Sequence, residues 1–220
     1  MTDDREDLKH AEDSPRFGPA IAGAIAIGAF MAATALIAPP AAHAIIGGED
    51  ATEEYGFVTA LYDDNGTHYC GGALVTDQWV LTAGHCTEPE QIDVRVGSND
   101  QTQGGSEREV VEVVEHPDYE VVDVSEDPDH EFSQYLLWND LALLRLDSPV
   151  EQEPIDIATD RAVPESEVRA LGWGMLDELG EDGKPDLLQQ LDTQIVNADR
   201  CAQMDPDSDL CSEHPTDQAQ

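Results

Sequence analysis

Trp79-Val80-Leu81-Thr82-Ala83-Gly84-His85-Cys86 compresses a short apolar strand, a small-residue turn and an imidazole into one stretch. Three apolar residues followed by Thr-Ala-Gly indicate a buried strand that stops abruptly, with His85 standing where it stops. The stretch closes a segment that opens Cys70-Gly71-Gly72-Ala73-Leu74-Val75. A histidine at a rigid loop end suits proton transfer, because a neutral imidazole takes a proton near pH 7 and gives it back. The plainer reading is a structural histidine.

Working outward, Asn139-Asp140-Leu141-Ala142-Leu143-Leu144-Arg145-Leu146 places an acid directly before a second apolar run. An Asp in that position is, by itself, more often a turn or cap residue. The surrounding chain is all-β in character. Short apolar or alternating runs recur at residues 57–62, 73–75, 79–81, 92–96, 110–114, 141–146, 168–171 and 187–196. Turn-rich pieces such as Asp63-Asp64-Asn65-Gly66, Gly97-Ser98-Asn99-Asp100 and Gly180-Glu181-Asp182-Gly183-Lys184-Pro185 separate them. Many short strands between such turns indicate a sandwich or barrel. Only the leader has a long continuous apolar run. Residues 120–131, dominated by Asp and Glu, read as an exposed loop.

Charge narrows the function classes. The chain of 220 residues has 48 acidic against 10 basic residues, a formal net charge of −38. Such a surface repels nucleic-acid phosphates and anionic lipid. With only Lys9 and Lys184 as lysines, it suits high salt, where surface repulsion is screened, so a halophilic source is one expectation and an ordinary acidic secreted protein the other.

Residues 1–44 read as targeting sequence. An apolar run over 20–38 follows Arg16, and Pro39, Pro40 and the small-x-small Ala42-His43-Ala44 come next. Cleavage after Ala44 is expected, leaving residues 45–220 as the exported domain. The segment before the run is acidic rather than basic, and the run is long enough to span a bilayer, so an uncleaved anchor is the alternative. An oxidising destination would let the four cysteines pair, and spacing alone allows three pairings. The seven histidines are scattered without metal-ligand spacing, so no metal or cofactor is expected. The acidic stretch at 120–131 reads as a solvated charge run rather than a calcium site.

The Cys70–Cys86 segment resembles the trypsin-like (chymotrypsin-family) serine proteases, whose catalytic His sits in a Thr-Ala-Gly-His-Cys loop. That resemblance implies two six-stranded antiparallel β-barrels packed face to face, the second incomplete over these residues. It implies His85 as general base and acid, with Asp140 as a buried carboxylate that orients the imidazole and fixes its tautomer. It pairs Cys70 with Cys86 and Cys201 with Cys211. Ile45-Ile46-Gly47-Gly48 resembles the family's mature N-terminus, so cleavage after Ala44 would release Ile45 directly. His116-Pro117-Asp118-Tyr119 and Gly172-Trp173-Gly174 match family landmarks, a turn and a strand, and read as scaffold. In the family the 120–131 region overhangs the substrate cleft, and its acids here would favour basic residues upstream of the scissile bond.

The family's nucleophile lies in Gly-Asp-Ser-Gly-Gly-Pro, a string that does not occur in these 220 residues. Ser208 and Ser212 lack the flanking glycines that a sharp nucleophile turn requires. The expectation is therefore a secreted serine endopeptidase acting on proteins or peptides, interrupted before its nucleophile and inactive as given. The alternative is a protease-derived pseudoenzyme or binding module.

Overall fold

A computed structural model describes residues 48–124, 135–175, 184–201 and 209–213. The leader, Ile45, Ser208 and residues 125–131 of the acidic stretch lie outside the described residues. The described chain holds twelve strands and two short 3-10 turns, with no α-helix. In chain order the strands are β1 (Glu49–Asp50), β2 (Val58–Tyr62), β3 (His68–Thr76), β4 (Trp79–Thr82), β5 (Asp93–Val96) and β6 (Ser106–Glu115). Then come β7 (Glu120–Asp123), β8 (Tyr135–Trp138), β9 (Ala142–Leu146), β10 (Glu167–Gly172), β11 (Gln189–Val196) and β12 (Cys211–Glu213).

Six of them close a barrel in the order β2-β3-β4-β9-β6-β5. Alternation explains the closure. Ala142, Leu144 and Leu146 of β9 point inward while Leu143 and Arg145 do not, and β5 likewise buries Val94 and Val96 between Asp93 and Arg95. Leu61, Leu74, Val80, Leu144 and Leu146 are wholly buried there. Each such side chain contributes about 1.5–3 kcal/mol by leaving water. Gly72 lets β3 approach β4, because a Cβ on it would stand 2.7 Å from Val80 Cγ1 and 2.8 Å from the Leu81 carbonyl. The β2–β3 connection is the turn foreseen at Asp63-Asp64-Asn65-Gly66. Gly66 takes a φ of 73°, and Asp63 Oδ1 accepts the backbone N–H groups of Asn65 and Thr67 at 2.9 and 2.8 Å.

The second body is a four-stranded antiparallel sheet ordered β1-β11-β10, with β12 also paired to β11. Its register sets Glu167 against Gln194 and Gly172 against Gln189. Val58, Ala60, Trp173 and Leu188 form the apolar cluster joining this sheet to the barrel. The polar pair Gln189 and Gln190 is buried too, and both amides are satisfied by the β1 region. Gln189 Nε2 donates to Asp50 Oδ1 at 2.7 Å and Gln190 Nε2 to Glu49 Oε1 at 3.0 Å. Gly172 ends β10, so Trp173 and Gly174 follow the strand rather than belonging to it.

One expectation needs correction. The acidic stretch begins as a strand, not a loop: β7 pairs antiparallel with β8, Glu120 opposite Trp138 and Asp123 opposite Tyr135. Val121 and Val122 supply the β preference, and the neighbouring carboxylates hid it.

Candidate active site

The barrel's register builds the site. β4 and β9 are antiparallel neighbours with Thr82 opposite Ala142, so the chain leaves β4 beside the point where it enters β9. His85 lies just past the first strand and Asp140 just before the second. Residues 55 apart in sequence thereby meet at one end of the barrel.

Each side is held locally. After β4 the chain makes a 3-10 turn over Gly84–Thr87. The Cys70–Cys86 disulfide ties that turn to β3, and the Tyr69 hydroxyl donates to the Cys86 carbonyl at 2.7 Å. Thr87 Oγ1 donates to the Gly84 carbonyl at 2.8 Å and Thr82 Oγ1 to the Gly71 carbonyl at 2.8 Å. On the other side, Asn139 adopts a left-handed φ of 50°, a conformation Asn tolerates better than most residues. The Leu141 N–H then bonds back to the Asn139 carbonyl at 2.7 Å, closing a three-residue turn centred on Asp140.

Asp140 uses both oxygens on one partner. Oδ1 accepts the backbone N–H of His85 at 2.8 Å, and Oδ2 lies 2.7 Å from the ring Nδ1. A carboxylate only accepts, so Nδ1 carries the proton, and in the neutral ring Nε2 then keeps its lone pair. The second contact fixes the imidazole's orientation, and the first fixes the backbone from which it grows. The His85 side chain is 49% exposed and the Asp140 side chain 21%. The carboxylate expected to be buried is partly exposed, because it sits at the barrel's rim.

A side chain at Gly84 would crowd this contact. A Cβ there would come within 3.1 Å of Asp140 Oδ1 and 3.1 Å of two ring carbons of Tyr119. The Tyr119 hydroxyl is held above its ordinary pKa, first by desolvation and then by the charges of Asp140, Glu115 and Glu88. Asn139 and Tyr119 are the neighbours that sequence reasoning did not assign to the site. An Asn-Asp pair before an apolar run is a turn signal that pointed to the first.

Cys70, His85 and Cys86 place three potential metal-binding atoms within 4.8 Å of one another. Both sulfurs are consumed in the disulfide, which leaves the imidazole as the only free donor of the three. The other disulfide joins Cys201 to Cys211, beside β12. Ser212 lies within β12 opposite Ile195, on an extended strand rather than a sharp turn. An apolar pocket of about 340 Å³ opens between barrel and sheet, lined by Gly71, Gly72, Thr82, Leu171, Trp173 and Leu188 among others. A wider cleft of about 860 Å³ around Arg95 and Arg108 contains neither His85 nor Asp140.

Residues 45–220 match the Trypsin family. The chain is 32% identical over 167 residues to trypsin from Saccharopolyspora erythraea, covering 72% of this chain and 67% of that protein. It is 34% identical over 159 residues to the serine proteinase stubble of Drosophila melanogaster, covering 66% of this chain and 18% of that one. It is 32% identical over 143 residues to the anionic trypsin of Canis lupus familiaris, covering 62% of this chain and 52% of that one. The matched stretch thus spans about half of the dog protein and under a fifth of the fly protein.

Proposed function

The chain belongs to the trypsin family, and from that premise we propose that it carries the acid–base half of a serine-type endopeptidase. The observation that supports this reading best is the double contact of Asp140 with His85, through the backbone N–H and through Nδ1. With its proton held on Nδ1, His85 presents Nε2 as a base. It takes the hydroxyl proton of a serine as the serine oxygen bonds to a peptide carbonyl carbon. It then returns that proton to the amide nitrogen as the C–N bond breaks, and water hydrolyses the resulting acyl-enzyme. Asp140 stabilises the imidazolium formed in between.

No Gly-Asp-Ser-Gly-Gly-Pro string occurs in the 220 residues, so the chain by itself is not expected to hydrolyse peptides. The substrates of the complete peptidase are proteins or peptides. Glu120 and Asp123 on the hairpin that springs from Tyr119 and Asn139 favour basic residues upstream of the scissile bond. The proposed route outward is export by the 1–44 leader and cleavage that frees Ile45 as the N-terminus of the 45–220 domain, giving an extracellular protein.

A chimera tests the reading. Residues 1–213 are joined to the remainder of the Saccharopolyspora erythraea trypsin, and casein hydrolysis is followed. Activity that falls by about 10⁴-fold or more in His85→Ala supports the proposal. A folded chimera that is inert, or one indifferent to His85→Ala, overturns it.

A further inference from the structure

The β2–β3 turn carries a pattern for which proton transfer has no use. Asn65-Gly66-Thr67 reads as Asn, a residue other than Pro, then Thr, which is the acceptor pattern for an N-linked glycan. The chain has four asparagines, and Asn99, Asn139 and Asn197 are followed two positions on by Gln101, Leu141 and Asp199. The pattern therefore occurs once. Three residues make a common string, so the place they hold in the fold decides.

That place is the tip of a hairpin. Asp64, Asn65, Gly66 and Thr67 are all exposed between the end of β2 at Tyr62 and the start of β3 at His68. A Cβ on Gly66 would meet nothing within 4 Å, so the tip has open space beside it. The turn is closed by Asp63 and not by the Asn65 amide. Asp63 Oδ1 accepts the Asn65 and Thr67 N–H groups at 2.9 and 2.8 Å. The Asp63 carbonyl accepts the Gly66 N–H at 2.9 Å, and the Asp63 N–H donates to the Thr67 carbonyl at 3.0 Å. Asn65 Nδ2 donates only next door, to Asp64 Oδ1 at 3.1 Å. A primary amide has two N–H donors, so a sugar on one leaves the other for that contact. Asn99 and Asn139 differ, because their amides hold distant segments, the Glu53 carbonyl at 2.6 Å and the Asp118 carbonyl at 2.9 Å.

We propose that Asn65 is the acceptor of an N-linked glycan. The donor is an oligosaccharide on a lipid pyrophosphate, and the catalyst is an oligosaccharyltransferase of the export membrane. Asn65 Nδ2 bonds to the anomeric carbon of the first sugar as the bond from that carbon to the pyrophosphate oxygen breaks. The amide gives up one proton and the lipid pyrophosphate leaves. Both backbone groups of Thr67 are tied to Asp63 in the folded turn, so transfer precedes the pairing of β2 with β3. The finished hairpin then carries a bulky, solubilising group that projects into water. This inference rests on the export proposed above, because the donor is met only on the far side of the membrane.

The test translates the full 220-residue chain in the presence of endoplasmic-reticulum microsomes, whose lipid-linked oligosaccharide is the probe. Protection from added protease reports export. A slower-migrating band that a peptide:N-glycosidase removes reports the sugar. Protected chains should carry one glycan, kept in Thr67→Ser and lost in Asn65→Gln and Thr67→Ala. None of these variants has to fold for the readout. An unprotected chain counts against export, and the same chain with residues 1–44 exchanged for a leader that the microsomes accept then decides the site. Protected chain without the slower band, in whichever form is exported, overturns the proposal. So does a band that survives Asn65→Gln.

Discussion

The closed barrel and the four-stranded sheet differ in what they finish. Every barrel strand has a neighbour on each side, whereas among the described residues the outer edges of β10 and β12 meet no strand. His85 and Asp140 both come from the barrel, at the exit of β4 and the entry of β9, which lie side by side. The sheet contributes neither. The His85–Asp140 contact is therefore made entirely by residues that the barrel positions.

Removing core from each body is the bluntest way to break that comparison. Leu144 is wholly buried in the barrel and Ile195 is 5% exposed in β11. Each substitution to Ala should cost about 2–5 kcal/mol of local stability, read from urea unfolding. Leu144→Ala should also disturb the His85 resonances, and Ile195→Ala should leave them in place. Equal disturbance by both would show that the pair depends on the sheet after all.

A smaller effect sharpens the comparison at the seam between the bodies. His68 at the start of β3 stands edge-on to Trp173, with ring centroids 5.7 Å apart, and close to Tyr62 at 5.8 Å. Neither of its ring nitrogens has a hydrogen-bond partner among the described residues. Burial, and after it the Lys184 cation, lowers its pKa from 6.5 to about 4. The fold thus favours the neutral ring. Between those two values the unfolded chain binds a proton that the folded chain refuses, so stability falls as pH drops through that window. Above pH 6.5 the His68 slope fades as the unfolded ring also becomes neutral. Asp63, Asp100 and Asp192, whose carboxyls are held low by hydrogen bonds, act in the same direction and are common to both proteins. His68→Phe should therefore lose less of its urea midpoint than the parent between pH 7.5 and pH 5, values chosen to bracket most of the shift. Identical losses would place the pH sensitivity elsewhere than the seam.

How much of this could be read beforehand follows the same division. The barrel strands announced themselves because their alternation is clean, as in Asp93-Val94-Arg95-Val96, and the His85 stretch carried its own turn and cysteine. That Asp140 reaches His85 was implied by family resemblance, and no spacing rule supplies it. The contact depends on Thr82 pairing with Ala142, a register that only the closed barrel fixes. The sheet was harder to read. Gln189 and Gln190 look like surface residues in sequence, yet they are buried because Asp50, Glu49, Thr52 and Tyr55, more than 130 residues away, satisfy them. The β7–β8 hairpin was lost under its carboxylates. That Tyr119 stands near Asp140 was not legible either, because the Asn139 side-chain amide ties the two turns together only in the fold.

The most direct test of the central claim is the tautomer of His85 in the intact chain, read from its two ring ¹⁵N shifts at a pH where the ring is neutral. A barrel that completes the pair unaided predicts the proton on Nδ1, with that preference lost in Asp140→Asn. A neutral ring carrying its proton on Nε2, or one indifferent to Asp140→Asn, would contradict it.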